Sequence, residues 1–187
     1  MVTIVPYNPA WPDEFQSIAN ELRTTLGEIA LRIDHIGSTS VPGLDAKDRI
    51  DIQVTVEKLD NRVERALSHL GYTKLPYQSD HPPFGLDSPA DEWIKWIFAP
   101  SPEQRPTNLH VRISGRANQR YALLFRDFLR THPKSAAAYA ELKRRLVENL
   151  VDVDTYPDVK DPAVDLIYFA AEDWATAINW QPGPPDA

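Results

Sequence analysis

The chain has 187 residues, 42% of them hydrophobic and 25% charged, which suits one globular domain or one domain with a helical appendage. It has no cysteine, which excludes disulfides, thiolate zinc sites and cysteine nucleophiles and suits a reducing, cytoplasmic setting. The net charge of −7 argues against an extended nucleic acid as partner.

The charge is uneven. Residues 112–160 hold ten Lys or Arg against six Asp or Glu, a net of +4, so the remainder carries −11. A basic stretch in an acidic chain fits a small phosphate-bearing ligand, or else a solvated helix face. No apolar run approaches the roughly 18 residues of a membrane span, so no membrane partner is expected. Met1-Val2-Thr3-Ile4-Val5-Pro6 lacks the pattern of a signal peptide and reads as a short first strand.

Pro9-Ala10-Trp11-Pro12-Asp13-Glu14 reads as a helix start, with proline in the first turn and acids behind it. Phe15, Ile18, Ala19, Leu22 and Leu26 recur at helical spacing, and Gly27 is a stop. A strand over 31–36 leads into Gly37-Ser38-Thr39-Ser40. The next strand alternates: Ile50, Ile52, Val54 and Val56 point to a core, Asp51, Gln53 and Thr55 away from it. Val63, Ala66, Leu67 and Leu70 predict a short helix ending at Gly71. Residues 76–92, with Pro76, Pro82, Pro83, Gly85 and Pro89, predict a long loop. Trp93 to Phe98 predicts an apolar strand. In Asn108 to Ile113, Leu109, Val111 and Ile113 face the core, with Asn108, His110 and Arg112 opposite.

Beyond 117 the pattern is helical. One stripe is Tyr121, Leu124, Phe125, Phe128 and Leu129, broken by Pro133. A second is Tyr139, Leu142, Leu146 and Leu150. A third is Ala163, Leu166, Ile167, Ala170, Trp174 and Ala177, opened by Asp161-Pro162. The expected organisation is a sheet domain over 1–116, a helical part over 117–180 packed on it, and a disordered tail over 181–187. The class is α+β, a mixed sheet flanked by helices.

The Gly37 to Ser40 turn can cradle phosphate oxygens with backbone N–H groups and hydroxyls, although such turns also occur in plain loops. It does not match the Gly-x-x-x-x-Gly-Lys-Ser/Thr phosphate loop. Asp51, on the non-core face of the following strand, is a natural magnesium ligand and the candidate catalytic acid, or else a surface acid. Two-metal phosphoryl transfer wants further carboxylates, and two residues on the chain has Gln53, a neutral and poorer ligand. Arg112 can pair with phosphate and His110 can donate to it or exchange a proton, or else is a structural histidine; Lys47 can neutralise it, or else is an ordinary exposed lysine. Asp48 falls on the opposite strand face from Asp51. A Gly-x-Ser-x-Gly elbow and zinc-type histidine spacings are both missing; a small hydrolase using His110 as base is the weakest reading.

Taken together, His35-Ile36-Gly37-Ser38-Thr39-Ser40-Val41-Pro42-Gly43-Leu44, Ala46-Lys47 and Ile50-Asp51-Ile52 resemble the GrpB family of bacterial proteins. So do Tyr7 to Trp11, Asn108 to Arg112, Leu124 to Leu129, His132-Pro133, Tyr139 to Lys143 and Tyr156 to Lys160, in order and spacing. That resemblance implies a nucleotidyltransferase-like fold, whose members share a Gly-Ser turn followed by an Asp-x-Asp/Glu strand. Carried over by position, Gly37 and Ser38 are the phosphate turn and Asp51 the first metal-binding acid, while Gln53 departs from the pattern. Joined to the residue reading above, this makes the expected ligand a nucleotide held by Gly37, Ser38, Thr39, Ser40, Lys47, Gln53, His110 and Arg112, with magnesium on Asp51. Transfer of a nucleoside monophosphate to a small acceptor is the leading expectation. The alternative is a non-catalytic nucleotide- or phosphate-binding accessory module, as in related domains fused to dephospho-CoA kinase.

Overall fold

A computed structural model describes residues 2–152 and 155–187. The fold is α+β, a five-stranded mixed sheet with five helices among the described residues. In chain order the elements are α1 (Trp11–Leu26), β1 (Ala30–Ile36), β2 (Ile50–Val56), α2 (Asn61–His69), β3 (Thr73–Lys74), β4 (Lys95–Ala99), β5 (Thr107–Ile113), α3 (Ala117–Thr131), α4 (Pro133–Asn149) and α5 (Tyr156–Ile178). The sheet order is β1-β2-β5-β4-β3. β2 and β5 are parallel and the other pairs antiparallel. No helix is long and apolar enough to cross a membrane among the described residues.

Strand alternation gives the sheet two unlike faces. Ile50, Ile52, Val54, Leu109, Val111 and Phe98 pack with Trp11, Phe15, Leu22, Val63 and Leu67 of α1 and α2 in one dry core. Register puts Asp51, Gln53 and Thr55 beside Asn108, His110 and Arg112 on the other face. That face is covered in part: Gln53 and Thr55 are fully buried under the C-terminal helices, while Asp51, Asn108 and His110 stay half-buried and line a cleft. These helices have their own core, in which Leu124, Phe128, Tyr139, Tyr168 and Ala171 meet Val41 and Leu44 from the β1–β2 connection.

Several elements differ from expectation. The first strand is reduced to a bridge between Val5 and Ala46, and Met1 lies outside the described residues. β4 begins at Lys95, since Ala90–Trp93 forms a 3-10 turn that buries the Trp93 indole. α5 begins at Tyr156 rather than at Asp161: Pro157 takes the first-turn place, and Pro162 sits inside the helix, where it lacks an N–H to donate. The tail expected to be disordered lies on the outer edge of β1. Ala187 N donates to Ile33 O at 3.1 Å, and Asp186 accepts from His35 N at 2.9 Å and from Arg126 Nη1 at 2.7 Å. Edge-strand N–H and C=O groups need partners, and the tail supplies them.

His35 belongs to the apolar face. Its ring stacks on Phe15 with centroids 4.7 Å apart, and Nε2 meets Thr39 Oγ1 at 3.0 Å. Burial, then Arg130 and Arg126, push its pKa down to about 3 from 6.5. Between those values the unfolded chain binds the proton and the folded one does not, so stability falls as pH drops from about 6.5 toward 3. His35→Gln is expected to remove up to about 1.4 kcal/mol per pH unit of that slope. Urea midpoints at pH 6 and pH 4 measure it, and parallel wild-type and variant curves would contradict it.

Candidate functional site

β1 delivers the chain to Gly37, with φ 69° and ψ −171°, a combination open essentially to glycine alone. A Cβ there would stand 2.8 Å from Asp51 Cβ and closer still to Asp51 Oδ2. The glycine lets the turn and the Asp51 carboxylate occupy adjoining space. Ser38–Ser40 then makes a single 3-10 turn. Its three hydroxyls have different tasks. Ser40 Oγ donates to Gly37 O at 2.6 Å and Thr39 Oγ1 is engaged with His35, so both hold the turn itself. Ser38 Oγ accepts from Lys143 Nζ at 2.9 Å across the cleft.

Asp51 Oδ1 accepts from Asn108 Nδ2 at 2.7 Å, and Arg49 Nη1 donates to Asn108 Oδ1 at 3.0 Å. Burial raises the Asp51 pKa, opposed by the Asn108 hydrogen bond and by Arg49, Lys160 and Lys47. Lys47 lies 4.1 Å over the Tyr156 ring, and its pKa is lowered by burial and then by Lys160 and Arg49. Lys143 projects from α4, only 3% exposed, bonding Ser38 and the Asp45 carbonyl. Burial and then Lys160 bring its pKa to about 7, with Asp45 and Asp51 opposing. Neither Lys47 nor Lys143 forms an ion pair among the described residues.

Gln53 and Arg112 are engaged with protein partners. Gln53 does not line the cleft; its Oε1 accepts from Arg112 Nη1 at 2.7 Å and its Nε2 donates to Gln119 O at 3.2 Å. Arg112 lines the cleft, but its guanidinium is bidentate on Asp80, at 2.8 and 3.0 Å. Lys95 and Asn118 Nδ2 bond the same carboxylate. Burial alone would raise the Asp80 carboxyl, yet Arg112 and then Lys95 hold it well below the usual carboxylate range. His110 meets Lys95 Nζ at 3.4 Å; burial, Arg112 and Lys95 push its pKa well down, so its imidazole is neutral and a weak base. That withdraws support from the hydrolase reading.

Asp80 sits in the 76–92 loop, which is pinned at several points. Ser79 bridges Ile94, Lys95 N donates to Gln78 O at 3.0 Å, and Phe84 N donates to Asp165 Oδ2 at 3.0 Å. Glu92 accepts from Arg116 at 2.8 Å and from Ala117 N at 2.8 Å, at the start of α3.

The resulting cleft measures about 550 Å³. It brings together Gly37, Ser38, Thr39, Lys47, Asp51, His110 and Arg112, and leaves out Ser40 and Gln53. Asp48 is tied to Trp11 and Arg105, away from it. Sequence reasoning missed Lys95, Lys143, Lys160, Asn108 and Asp80. Lys143 had a signal, since it lies one turn from Tyr139 on an apolar stripe where a solvated lysine has no place. Asp80 had none, being one acid in a proline-rich loop.

Among the described residues no three His, Asp or Glu side chains gather as a metal site. Asp80 is covered by two cations, and Asp161 lies 3.5 Å from Lys160 Nζ. Asp51 is left as the one carboxylate facing the cleft without an ion-pair partner, in a lining of six Lys or Arg against three Asp. These residues do not fit a two-metal centre.

A family profile described as GrpB protein matches residues 1–169. A dephospho-CoA kinase of Mycolicibacterium paratuberculosis is 39% identical over 97% of this chain and 48% of its own length, so the chain spans about half of that relative. A UPF0157 protein of Halalkalibacterium halodurans is 33% identical over 89% of the chain and 80% of its own length. The crystal structure of conserved protein GrpB from Enterococcus faecalis superposes with a TM-score of 0.74 at 29% identity, covering 92% of this chain and 99% of that one. The profile match, the turn and the strand that follows it make this chain a member of the GrpB family.

Proposed function

We propose that the cleft binds a nucleotide by its phosphates, in a protein of nucleotidyltransferase-like fold. The observation that carries this is a pair of lysines, Lys47 and Lys143, half-buried and fully buried, that face the Ser38 turn without a carboxylate partner. A buried cation is costly unless matched, and an anion in the cleft would match it. Ser38 and the lysines would hold the phosphate chain, and the aromatic rings of Tyr139 and Tyr156 stand beside it as apolar lining. The relatives named as kinases of dephospho-CoA, a nucleotide derivative, are consistent with this ligand class.

Whether the site also transfers a nucleotide turns on Gln53. Its carboxamide is consumed by Arg112 and Gln119, which favours the second reading, a non-catalytic binding module. Calorimetry with ATP, GTP, CTP and UTP, each with and without magnesium, tests the binding. At least one is expected to bind, with Lys143→Met weakening it about tenfold or more. No binding of any of the four under either condition would overturn the proposal. Nucleotide transfer to an acceptor would overturn the non-catalytic reading alone.

A further inference from the structure

We infer that the cleft holds a phosphate chain with its own cations and needs no divalent metal to do so, a step that rests on the nucleotide-binding reading above. In a metal-dependent site the ions neutralise the phosphates and carboxylates neutralise the ions. Here the second half of that arrangement is missing, and the first half is supplied by side chains.

Position 53, where a second acid would hold an ion, is buried, and the cation against it is already present as the Arg112 guanidinium, 2.7 Å from Gln53 Oε1. That guanidinium cannot leave readily, because Asp80 grips it through two further hydrogen bonds. Asp51 is equally committed: one oxygen accepts from Asn108, and the other packs against Gly37 so closely that no Cβ fits. Across from it stand Lys47 and Lys143. A dication arriving there would meet one carboxylate and several basic side chains, whereas a phosphate chain meets the charges it needs, and its approach favours the protonated lysines. Lys143 also bonds Ser38 Oγ, so a phosphate oxygen at the turn would meet a hydroxyl and an ammonium together.

Metal complexation would then be a handicap to the ligand, since magnesium on ATP cancels charge that the lysines would otherwise meet. Asp51 would act as a repulsive neighbour rather than as a ligand to an ion, which reverses the sign expected of its removal. Asp51→Asn keeps an oxygen for Asn108 and keeps the shape of the side chain.

The experiment is calorimetry with the nucleotide that binds best among the four and with inorganic tripolyphosphate, each in EDTA and in magnesium. Affinity in EDTA is expected to be no more than about threefold weaker than in magnesium, anything weaker counting against the inference, and Asp51→Asn is expected to bind as well as wild type or better in both buffers. Lys47→Met and Lys143→Met are each expected to weaken tripolyphosphate binding about tenfold in EDTA. Binding that appears only with magnesium, or that Asp51→Asn abolishes in a folded protein, overturns this inference and leaves the nucleotide reading standing. Absence of binding in both buffers overturns both. Circular dichroism of each variant separates lost binding from lost fold.

Discussion

Asp80→Asn is expected to cost about 3 kcal/mol of stability, among the largest effects of any single polar substitution here. The carboxylate is the one acid between two cations, Arg112 and Lys95, whose side chains are 6% and 11% exposed. Asparagine keeps the volume but turns a neutral amide toward both, leaving two desolvated charges near each other. The Asp80 carboxyl is held well below its ordinary range, so this contribution is present throughout neutral pH and is lost only as pH falls through that depressed value. The variant's deficit should therefore be present throughout neutral pH, easing toward higher pH as Lys95, no longer held up by Asp80, gives up its proton. Denaturant unfolding measures it, and Asp80→Asn/Arg112→Met should recover part of the loss, a non-additive result. A deficit below about 1 kcal/mol would mean that water screens the pair as it screens surface ones.

Gly37→Ala is expected to cost about 3 kcal/mol and to abolish ligand binding, from two separable causes. The backbone at φ 69° and ψ −171° is strained for any residue with a Cβ. The Cβ also collides with Asp51 across the turn. Relief of the collision alone, by Asp51→Gly in the same chain, should return only the steric share. Thermal unfolding of the two single variants and the double one resolves the shares. An alanine variant as stable as wild type would show that the turn relaxes freely.

What could be read in advance follows the length scale of the interaction. β2 and β5 were legible because alternation is local: Ile50, Ile52 and Val54 against Asp51 and Gln53 announce their faces within seven residues. The Gly-Ser turn was legible for the same reason. The fate of those faces was not. Gln53 is fully buried because α3 brings Gln119 O over it from 66 positions away, and Arg112 is neutralised by a loop 32 positions upstream. No pattern within a strand encodes a partner at that distance. The tail was misjudged on composition: proline and glycine in 181–187 suggest disorder, while Asp186 and Ala187 are held by β1, an edge strand in need of a partner. Lys143 lies between these cases, since its place on an apolar stripe was visible and its reach to Ser38 was not.

The pinned loop over 76–92 bears on traffic. A proline-rich segment beside a cleft invites comparison with a lid, but to swing away this one would have to strip Asp80 from Arg112, Lys95 and Asn118 and release Phe84 N from Asp165. That is the cost of breaking a buried ion pair at each turn of a ligand, about 3 kcal/mol or more, and it would slow exchange over a hundredfold. The loop is therefore a fixed wall of the cleft rather than a lid. Elsewhere in the lining Lys47 rests on the Tyr156 ring, with Lys160 in the same cleft, so a wall that does not move faces a cationic one.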